Sequence, residues 1–186
     1  MPSDASPKFP LTPIPTYYKD CKFRSRLEAR WAVFFDAPSI AWEYEKEGYD
    51  INGTWYLPDF WLSNVRDRHG LVGVWVEIKG NGATPEESKL CGGLAVGTHH
   101  SAHIFSGQPQ TQDSVGESGL WFGPNTEYGP GWDNYMAFHY CSFCRAAKIE
   151  FLNDYFHCFE CHRMMSSTWK NNEILEAISK AKSARF

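Results

Sequence analysis

The chain of 186 residues is 42% hydrophobic and 16% aromatic, and it carries a formal net charge of −4. This length accommodates one ordinary domain with a small appendage, and so high an aromatic content excludes an intrinsically disordered chain. No apolar run approaches the roughly 20 residues of a membrane-spanning helix, and residues 1–15 lack the apolar segment of a signal peptide. We therefore expect a cytoplasmic protein with no membrane association.

The charges are unevenly distributed along the chain. Residues 1–35 carry six Lys and Arg against three Asp and Glu, residues 36–138 carry five against fourteen, and residues 139–186 carry seven against five. A nucleic-acid-binding protein ordinarily presents a basic surface, so the acidic total argues against that class of function. The basic ends of the chain nevertheless permit it.

The first predicted elements are an extended arm and a helix. Residues 1–16 hold five of the eleven prolines and are predicted to form an extended N-terminal arm. Apolar residues then recur at helical spacing in the segment that begins at Ser25, and Pro38 ends this pattern. Ser25 and Glu28 also have the spacing of a capping box, which supports a helix start here.

Three strands, a second helix and a further strand are predicted next. The strands, with a tight Asn52-Gly53 turn between the first two, are expected at residues 41–45, 54–57 and 73–78. The run TPEE at residues 84–87 has an N-cap, an N1 proline and a capping box, so it predicts a helix over residues 85–96. Residues 102–106 are predicted to form one more short strand.

The remainder of the chain divides into three segments. Residues 108–137 are rich in Gly, Pro and polar side chains and are predicted to connect the core to a cysteine-containing module. Residues 138–168 form that module and contain four regularly spaced cysteines. Residues 169–186 carry an apolar helical stripe that predicts a C-terminal helix.

Two short motifs place carboxylates and an amine at strand positions. Asp59 follows Pro58 after an aromatic, β-prone stretch, and Glu77 and Lys79 alternate with apolar residues in the run VWVEIK. Side chains two apart in a strand share a face, so Glu77 and Lys79 point the same way, and a hairpin would bring Asp59 alongside them. Two close carboxylates repel each other unless a cation lies between them, and hard oxygen ligands favour Mg²⁺ or Mn²⁺.

The PD at residues 58–59 and the ExK at residues 77–79, preceded by FRSRLEARWA at residues 23–32, resemble the PD-(D/E)XK nuclease superfamily. The similarity is to its branch of phage-encoded and transposon end-cleaving endonucleases. It implies an α/β fold (α+β, mixed sheet) with a restriction-endonuclease-like core over residues 17–107, in the order helix, three strands, helix, strand. The catalytic residues that it implies are Glu28, Asp59, Glu77 and Lys79. The expected ligands of Mg²⁺ or Mn²⁺ are Glu28, Asp59, Glu77 and the backbone carbonyl of Ile78.

Each of these residues also has a simpler interpretation. Asp59 could be a turn aspartate, and Glu77 with Lys79 could form the solvated face of an edge strand. The apolar run around Glu77 favours a central strand instead, where a charged pair needs a reason such as a metal or a phosphate. Glu28 is either a metal ligand or only the capping partner of Ser25.

Four cysteines have the spacing of a zinc site. They form two CxxC pairs with thirteen residues between them: Cys141, Cys144, Cys158 and Cys161. Four thiolates leave no open coordination position, so we expect one structural Zn²⁺ in a small zinc ribbon. Cys21 and Cys91 fit no such pattern and are interpreted as small buried hydrophobes.

Six basic residues are candidate nucleic-acid contacts. Three of them surround the start of the first helix, where phosphate binding is favourable: Arg24, Arg26 and Arg30. The other three lie among aromatic residues of the cysteine segment: Arg145, Lys148 and Arg163. The simpler interpretations are solvated helix charges and a ribbon that only supports the core. His99, His100 and His103 cluster without an evident acidic partner and are interpreted as structural.

The sequence therefore predicts a Mg²⁺-dependent endodeoxyribonuclease, a hydrolase whose partner is DNA. The resemblance implies a role in phage or mobile-element DNA processing, with other proteins of such elements as further candidate partners. The alternative is a non-catalytic nucleic-acid-binding or protein adaptor built on a nuclease-like fold, which the acidic net charge favours.

Overall fold

A computed structural model describes residues 13–110, 119–124, 136–151, 155–166 and 171–186. Within these ranges the helices are α1 Arg26–Asp36, α2 Pro85–Thr98 and α3 Asn172–Ser183. The strands are β1 Thr16–Tyr18, β2 Cys21–Phe23, β3 Trp42–Tyr44, β4 Tyr49–Ile51, β5 Thr54–Tyr56, β6 Phe60–Arg66, β7 Val72–Lys79, β8 Ala102–Ser106, β9 Gly119–Phe122, β10 Met136–Tyr140, β11 Ala147–Phe151, β12 Tyr155–His157 and β13 Met164–Ser166. Most of the predicted arm and connection lies outside the described residues.

The described elements form a mixed α+β fold around one sheet. Its strand order is β10, β11, β6, β7, β8 and β9, and β3 pairs antiparallel with β6. The neighbours β11 and β6, and β7 and β8, run parallel, whereas the other pairs are antiparallel. The predicted mixed sheet is thus confirmed. Within the described ranges, no helix is long and apolar enough to cross a membrane.

One strand at the centre of the sheet was missed. Residues 60–66 form β6, in which buried Phe60 and Leu62 alternate with more exposed neighbours. The polar pair Ser63 and Asn64 interrupts that alternation, and the pairing with β7 shifts its register between Leu62 and Arg66. Because alternation was the signal that predicts a strand, this irregularity concealed β6.

The prediction that residues 54–57 form a strand of the core sheet is wrong. Thr54–Tyr56 pairs with Tyr49–Ile51 in a separate two-stranded sheet. The turn between them is the Asn52-Gly53 pair, whose positive φ values of 53° and 84° suit a tight hairpin. That turn therefore joins β4 to β5, and it does not connect two strands of the main sheet.

Strand β7 is central and buried on both faces. Val76 and Ile78 pack in a core cluster with Phe35 and other residues of α1, whereas Trp75 packs in a second cluster with Leu94 of α2. Each such large apolar side chain contributes about 1.5–3 kcal/mol on burial, so the two clusters hold α1 and α2 on opposite faces of the sheet. The face of β7 with Trp75, Glu77 and Lys79 is therefore the face that α2 covers.

The cysteine segment shares the main sheet and its core. Strand β11 pairs with β6 through Ala147 opposite Val65, and Phe138 of β10 contacts the rings of α1. Asn171 donates a hydrogen bond of 2.8 Å to the Tyr140 carbonyl and caps α3 by accepting from the Ile174 amide. Both β10 and α3 are thereby tied to the core.

A buried polar group lies at the end of β6. Asp67 accepts hydrogen bonds from the Ser101 hydroxyl at 2.6 Å and from the amides of His69 and Leu71. His103 is fully buried, and neither ring nitrogen has a hydrogen-bond partner in the described structure. Burial lowers the pKa of His103 to about 3, against an opposing attraction from Asp67. His103 is therefore a neutral core residue, in agreement with its structural interpretation.

We expect His103 to make the fold sensitive to acid. Between pH 6.5 and about 3 the unfolded chain binds a proton at His103 that the folded protein excludes. The free energy of unfolding therefore decreases as the pH is lowered through this window, and His103 has no effect on it at higher pH. The slope is at most about 1.4 kcal/mol per pH unit. Urea unfolding at pH 7.5 and pH 5 should show a smaller loss for His103→Leu than for wild type. A control in exposed His69, His69→Gln, should keep the wild-type loss, and equal losses in wild type and His103→Leu would contradict the prediction.

Candidate metal-binding active site and cysteine cluster

Three predicted carboxylates lie close enough to interact and are nearly inaccessible to solvent. Asp59 directly precedes β6, Glu77 lies on β7, and Glu28 lies in the first turn of α1. Their exposed fractions are 2%, 5% and 8% respectively. Because carboxylates are rarely buried without a specific partner, each one needs an explanation in its contacts.

Asp59 holds the centre of this group. Its Oδ2 accepts a hydrogen bond of 2.7 Å from the Ile78 amide, and its Oδ1 lies 2.5 Å from the Arg24 guanidinium. Burial raises the pKa of Asp59, and repulsion from Glu77 and Glu28 raises it further, while the Ile78 amide and Arg24 oppose the rise. Glu77 and Glu28 are thus both close enough to Asp59 to disfavour its charge, which is the condition that a cation relieves.

Each carboxylate oxygen of Glu77 has one donor. The Tyr56 hydroxyl donates to Oε2 at 3.1 Å, and the Lys79 ammonium lies 2.8 Å from Oε1. Lys79 also pairs with Glu87 of α2 at 2.7 Å. Burial lowers the pKa of Lys79, but the contacts with the two carboxylates outweigh it, so the net shift is upward and the side chain is an ammonium.

Glu28 lies at the cap of α1, and its carboxylate also contacts residues outside the cap. The Ser25 hydroxyl accepts from the Glu28 amide at 3.2 Å, which caps α1, and it donates to Glu28 Oε1 at 2.7 Å. The other oxygen, Oε2, accepts from the Arg24 amide and from the Tyr44 hydroxyl. The carboxylate therefore does not close a full capping box on Ser25, and it faces the residue that binds Asp59.

Three residues of this site have no signal of their role in the sequence. Tyr44 and Tyr56 each donate a hydroxyl to a carboxylate, and burial raises the pKa of both tyrosines. Glu87 was noted only as part of the helix cap, yet one of its oxygens accepts from the Thr84 amide while the other pairs with Lys79. No local pattern could show these contacts, because each joins separate elements of the chain.

Glu28→Gln separates a cap from a metal ligand. The Ser25 hydroxyl still caps α1 in this variant, so we expect the free energy of unfolding to change by less than about 1 kcal/mol. The amide is a weaker ligand than a carboxylate, so we expect metal-dependent cleavage to fall at least about tenfold. Ser25→Ala is the matched control that removes the cap, at a cost of about 0.5–2 kcal/mol. Full cleavage activity in Glu28→Gln would exclude the ligand role.

The six basic residues predicted to contact DNA differ in whether they form ion pairs within the protein. Arg24 forms ion pairs with Asp59 at 2.5 Å and with Glu45 at 2.8 Å. Lys148 pairs with Glu150 at 2.9 Å. Arg30 is half-buried, whereas the remaining three are exposed: Arg26, Arg145 and Arg163. Those three are therefore the most available for phosphate.

The four cysteines come together as the spacing predicts. Their sulfur atoms all lie within 4.8 Å of one another, with 3.6 Å between Cys141 and Cys161 and 3.5 Å between Cys144 and Cys158. A regular tetrahedron with Zn–S distances of about 2.3 Å has edges of about 3.8 Å, whereas a disulfide is about 2.05 Å long. The cluster consists of free thiols with the dimensions of a zinc site.

Each CxxC pair is folded into the same knuckle. The amide of Arg145 donates to the Cys141 carbonyl at 2.7 Å, and the amide of His162 donates to the Cys158 carbonyl at 2.9 Å. Both of these following residues have positive φ, 63° and 56°, although neither is glycine. The two knuckles thus repeat one backbone conformation that turns the sulfur atoms toward a shared point.

The two candidate metal centres differ in how closely their ligands converge. Among the described residues, the four cysteines are the only group of three or more metal-ligating side chains whose ligand atoms all lie within 4.8 Å of one another. The carboxylates are instead paired with cationic side chains, Asp59 with Arg24 and Glu77 with Lys79. A four-thiolate donor set fits zinc, and a buried carboxylate set fits a hard divalent cation.

No family model matches the sequence, and no curated protein and no solved structure is significantly similar to it.

Proposed function

We propose that this protein is a metal-dependent DNA endonuclease of the PD-(D/E)XK type. The observation that carries the proposal is the group of three buried carboxylates, in which Glu28 and Glu77 both repel Asp59, beside the ammonium of Lys79. A fold gains no stability from such a cluster by itself, so its burial points to a function.

The order of elements supports the proposal. The strands of the main sheet that lie between α1 and α2 are β3, β6 and β7, and β8 follows α2. This is the order helix, three strands, helix, strand that the resemblance implies, once β6 takes the place of the expected strand at residues 54–57. The β4–β5 hairpin is then an insertion between the first and second core strands.

The residues have separable roles in hydrolysis. Asp59, Glu77 and Glu28, with the Ile78 carbonyl, would hold Mg²⁺ or Mn²⁺, which supplies a Lewis acid that activates water and neutralises the charge of the transition state. The Lys79 ammonium stabilises the negative charge that develops on the phosphate oxygens. Tyr56 and Glu87 hold Glu77 and Lys79 in place, through hydrogen bonds of 3.1 Å and 2.7 Å.

The cysteine cluster would hold one structural Zn²⁺ through four thiolates. With no open coordination position, this centre takes no part in the chemistry. Burial raises the pKa of Cys141, but the backbone amides of Cys144 and Phe143 outweigh burial and bring the pKa to about 7. Burial raises the pKa of Cys144 and Cys158, so the Zn²⁺ itself would have to favour the thiolate form of these two.

A second candidate function is a non-catalytic adaptor on the same fold. The ion pair between Arg24 and Asp59 favours it, because a guanidinium can balance a buried carboxylate without a metal. Under the nuclease proposal, the Arg24 guanidinium instead has to move away from Asp59, or bind it together with the metal, when a cation binds. The proposed setting, phage or mobile-element DNA processing with partner proteins of such elements, rests on the resemblance alone.

The decisive experiment incubates the purified protein with supercoiled, linear and branched DNA, with and without Mg²⁺ or Mn²⁺. We expect cleavage that EDTA abolishes and that added Mg²⁺ or Mn²⁺ restores. If no DNA is cut with either metal, the nuclease proposal fails. DNA binding without cleavage would then favour the adaptor.

A further inference from the structure

The two ends of β6 hold two different parts of the molecule. Asp59 directly precedes the strand, and Arg66 at its far end pairs with Glu160 of the second knuckle at 2.5 Å. Arg66 also lies 5.2 Å from the ring of Phe159. At this same end, Lys148 of β11 is opposite Arg66. The cysteine cluster is therefore fixed to the end of β6 that lies away from the carboxylates.

The length of β6 sets the separation between them. The strand has seven residues. Asp59 lies one residue before the strand, so at about 3.3 Å per residue Asp59 and Arg66 are about 23 Å apart. Duplex DNA advances about 3.4 Å per base pair, so this distance corresponds to about seven base pairs.

The knuckles carry an exposed aromatic and cationic surface. Phe143 is 66% exposed, and the Arg163 guanidinium lies 4.2 Å from the centre of its ring, which joins the first knuckle to the segment after the second. Arg145 is also exposed, and among the described residues neither arginine forms an ion pair. We name Phe143, Arg145 and Arg163 the knuckle surface.

We propose that the knuckle surface binds the flank of the DNA substrate, about seven base pairs from the phosphate that is cut. The choice of DNA rests on the proposed function, and the inference adds a minimum substrate length. Two arginines that pair with no carboxylate in the described part of the chain complement a polyanion, and an arginine stacked on an aromatic ring offers both charge and a flat face to nucleic acid. Short DNA can reach the carboxylates or the knuckle surface, whereas longer DNA reaches both.

The test compares wild type with Arg163→Glu on two DNA lengths. Affinity is measured by fluorescence anisotropy, with Ca²⁺ in place of Mg²⁺, on a duplex of about 24 base pairs and on a hairpin whose stem of about four base pairs is too short to reach both sites. Lys182→Glu reverses an exposed charge on α3 and is the matched control. Zinc content is measured for all three proteins, so that loss of the knuckles is not mistaken for loss of a contact.

We expect Arg163→Glu to weaken binding of the long duplex at least about tenfold and binding of the short hairpin less than about twofold, with Lys182→Glu close to wild type on both. Equal losses on the two lengths, no loss on the long duplex, or no binding of it by wild type would overturn the inference. Cleavage in Mg²⁺ is scored separately. Length-dependent binding without cleavage would remove the proposed nuclease and keep this surface, and cleavage without length dependence would do the reverse.

Discussion

Asp59→Asn is expected to lower the rate of metal-dependent cleavage at least about a thousandfold. The same substitution is expected to increase the free energy of unfolding. The loss of activity follows from the loss of a charged ligand at the centre of the carboxylate group. The gain in stability follows because burial and the neighbouring Glu77 and Glu28 raise the pKa of Asp59, so the folded state disfavours its charge. Asn keeps an oxygen for the Ile78 amide, and Arg24 keeps Glu45 as a partner.

The pH dependence gives this prediction its sign. A carboxylate whose pKa is raised on folding contributes most to stability below its unfolded pKa, and that contribution is lost as the pH rises through the folded value. The stability advantage of Asp59→Asn should therefore be small near pH 4 and larger at pH 8. Denaturant unfolding at the two pH values measures it, and Asp20→Asn, at an exposed position, is the control.

Three results would contradict the catalytic role of Asp59. Retained cleavage would exclude a ligand role. A variant that is less stable at pH 8 would show that Asp59 chiefly supports the fold through Arg24. Mn²⁺ should raise the melting temperature of wild type but not of Asp59→Asn, because a ligand that binds only the folded state stabilises it. An equal rise in both proteins would place the cation elsewhere.

Cys158→Ser is expected to release zinc and to destabilise the whole described core. Structural zinc sites contribute on the order of 10 kcal/mol to the folding of small modules, which is comparable to the total stability of a domain. Here the knuckles flank β11, which pairs with β6, and Phe138 of β10 packs against Trp31 and Phe34 of α1. Loss of the knuckles therefore removes core contacts as well as a surface module.

Three measurements check this prediction. The zinc content should fall from one per chain to near zero, the melting temperature should fall by more than about 10 °C, and amides of β6 should exchange faster with solvent. Cys21→Ser, a half-buried cysteine outside the cluster, is the matched control and should keep zinc and melting temperature. A Cys158→Ser protein with wild-type melting temperature would show that the knuckles fold independently of the core.

The sequence by itself determined the features that depend on neighbouring residues. The first two helices begin at their predicted caps because Ser25 and Thr84 each accept a hydrogen bond from an amide three residues later. The four cysteines converge because each CxxC turn brings its own two thiolates together. The apolar run around Glu77 correctly predicted a central strand.

Only the tertiary structure decided which distant residues meet. Sequence spacing gave no sign that the Tyr44 hydroxyl would donate to Glu28 or that the Tyr56 hydroxyl would donate to Glu77. It also gave no sign that the Arg24 guanidinium would form an ion pair with Asp59. The pairing of β11 with β6, which joins the cysteine segment to the core sheet, likewise had no local signal. The physical reason is the same in each case. These contacts depend on how separate elements pack, and packing is governed by the shape and burial of the whole core, which no short window of sequence contains.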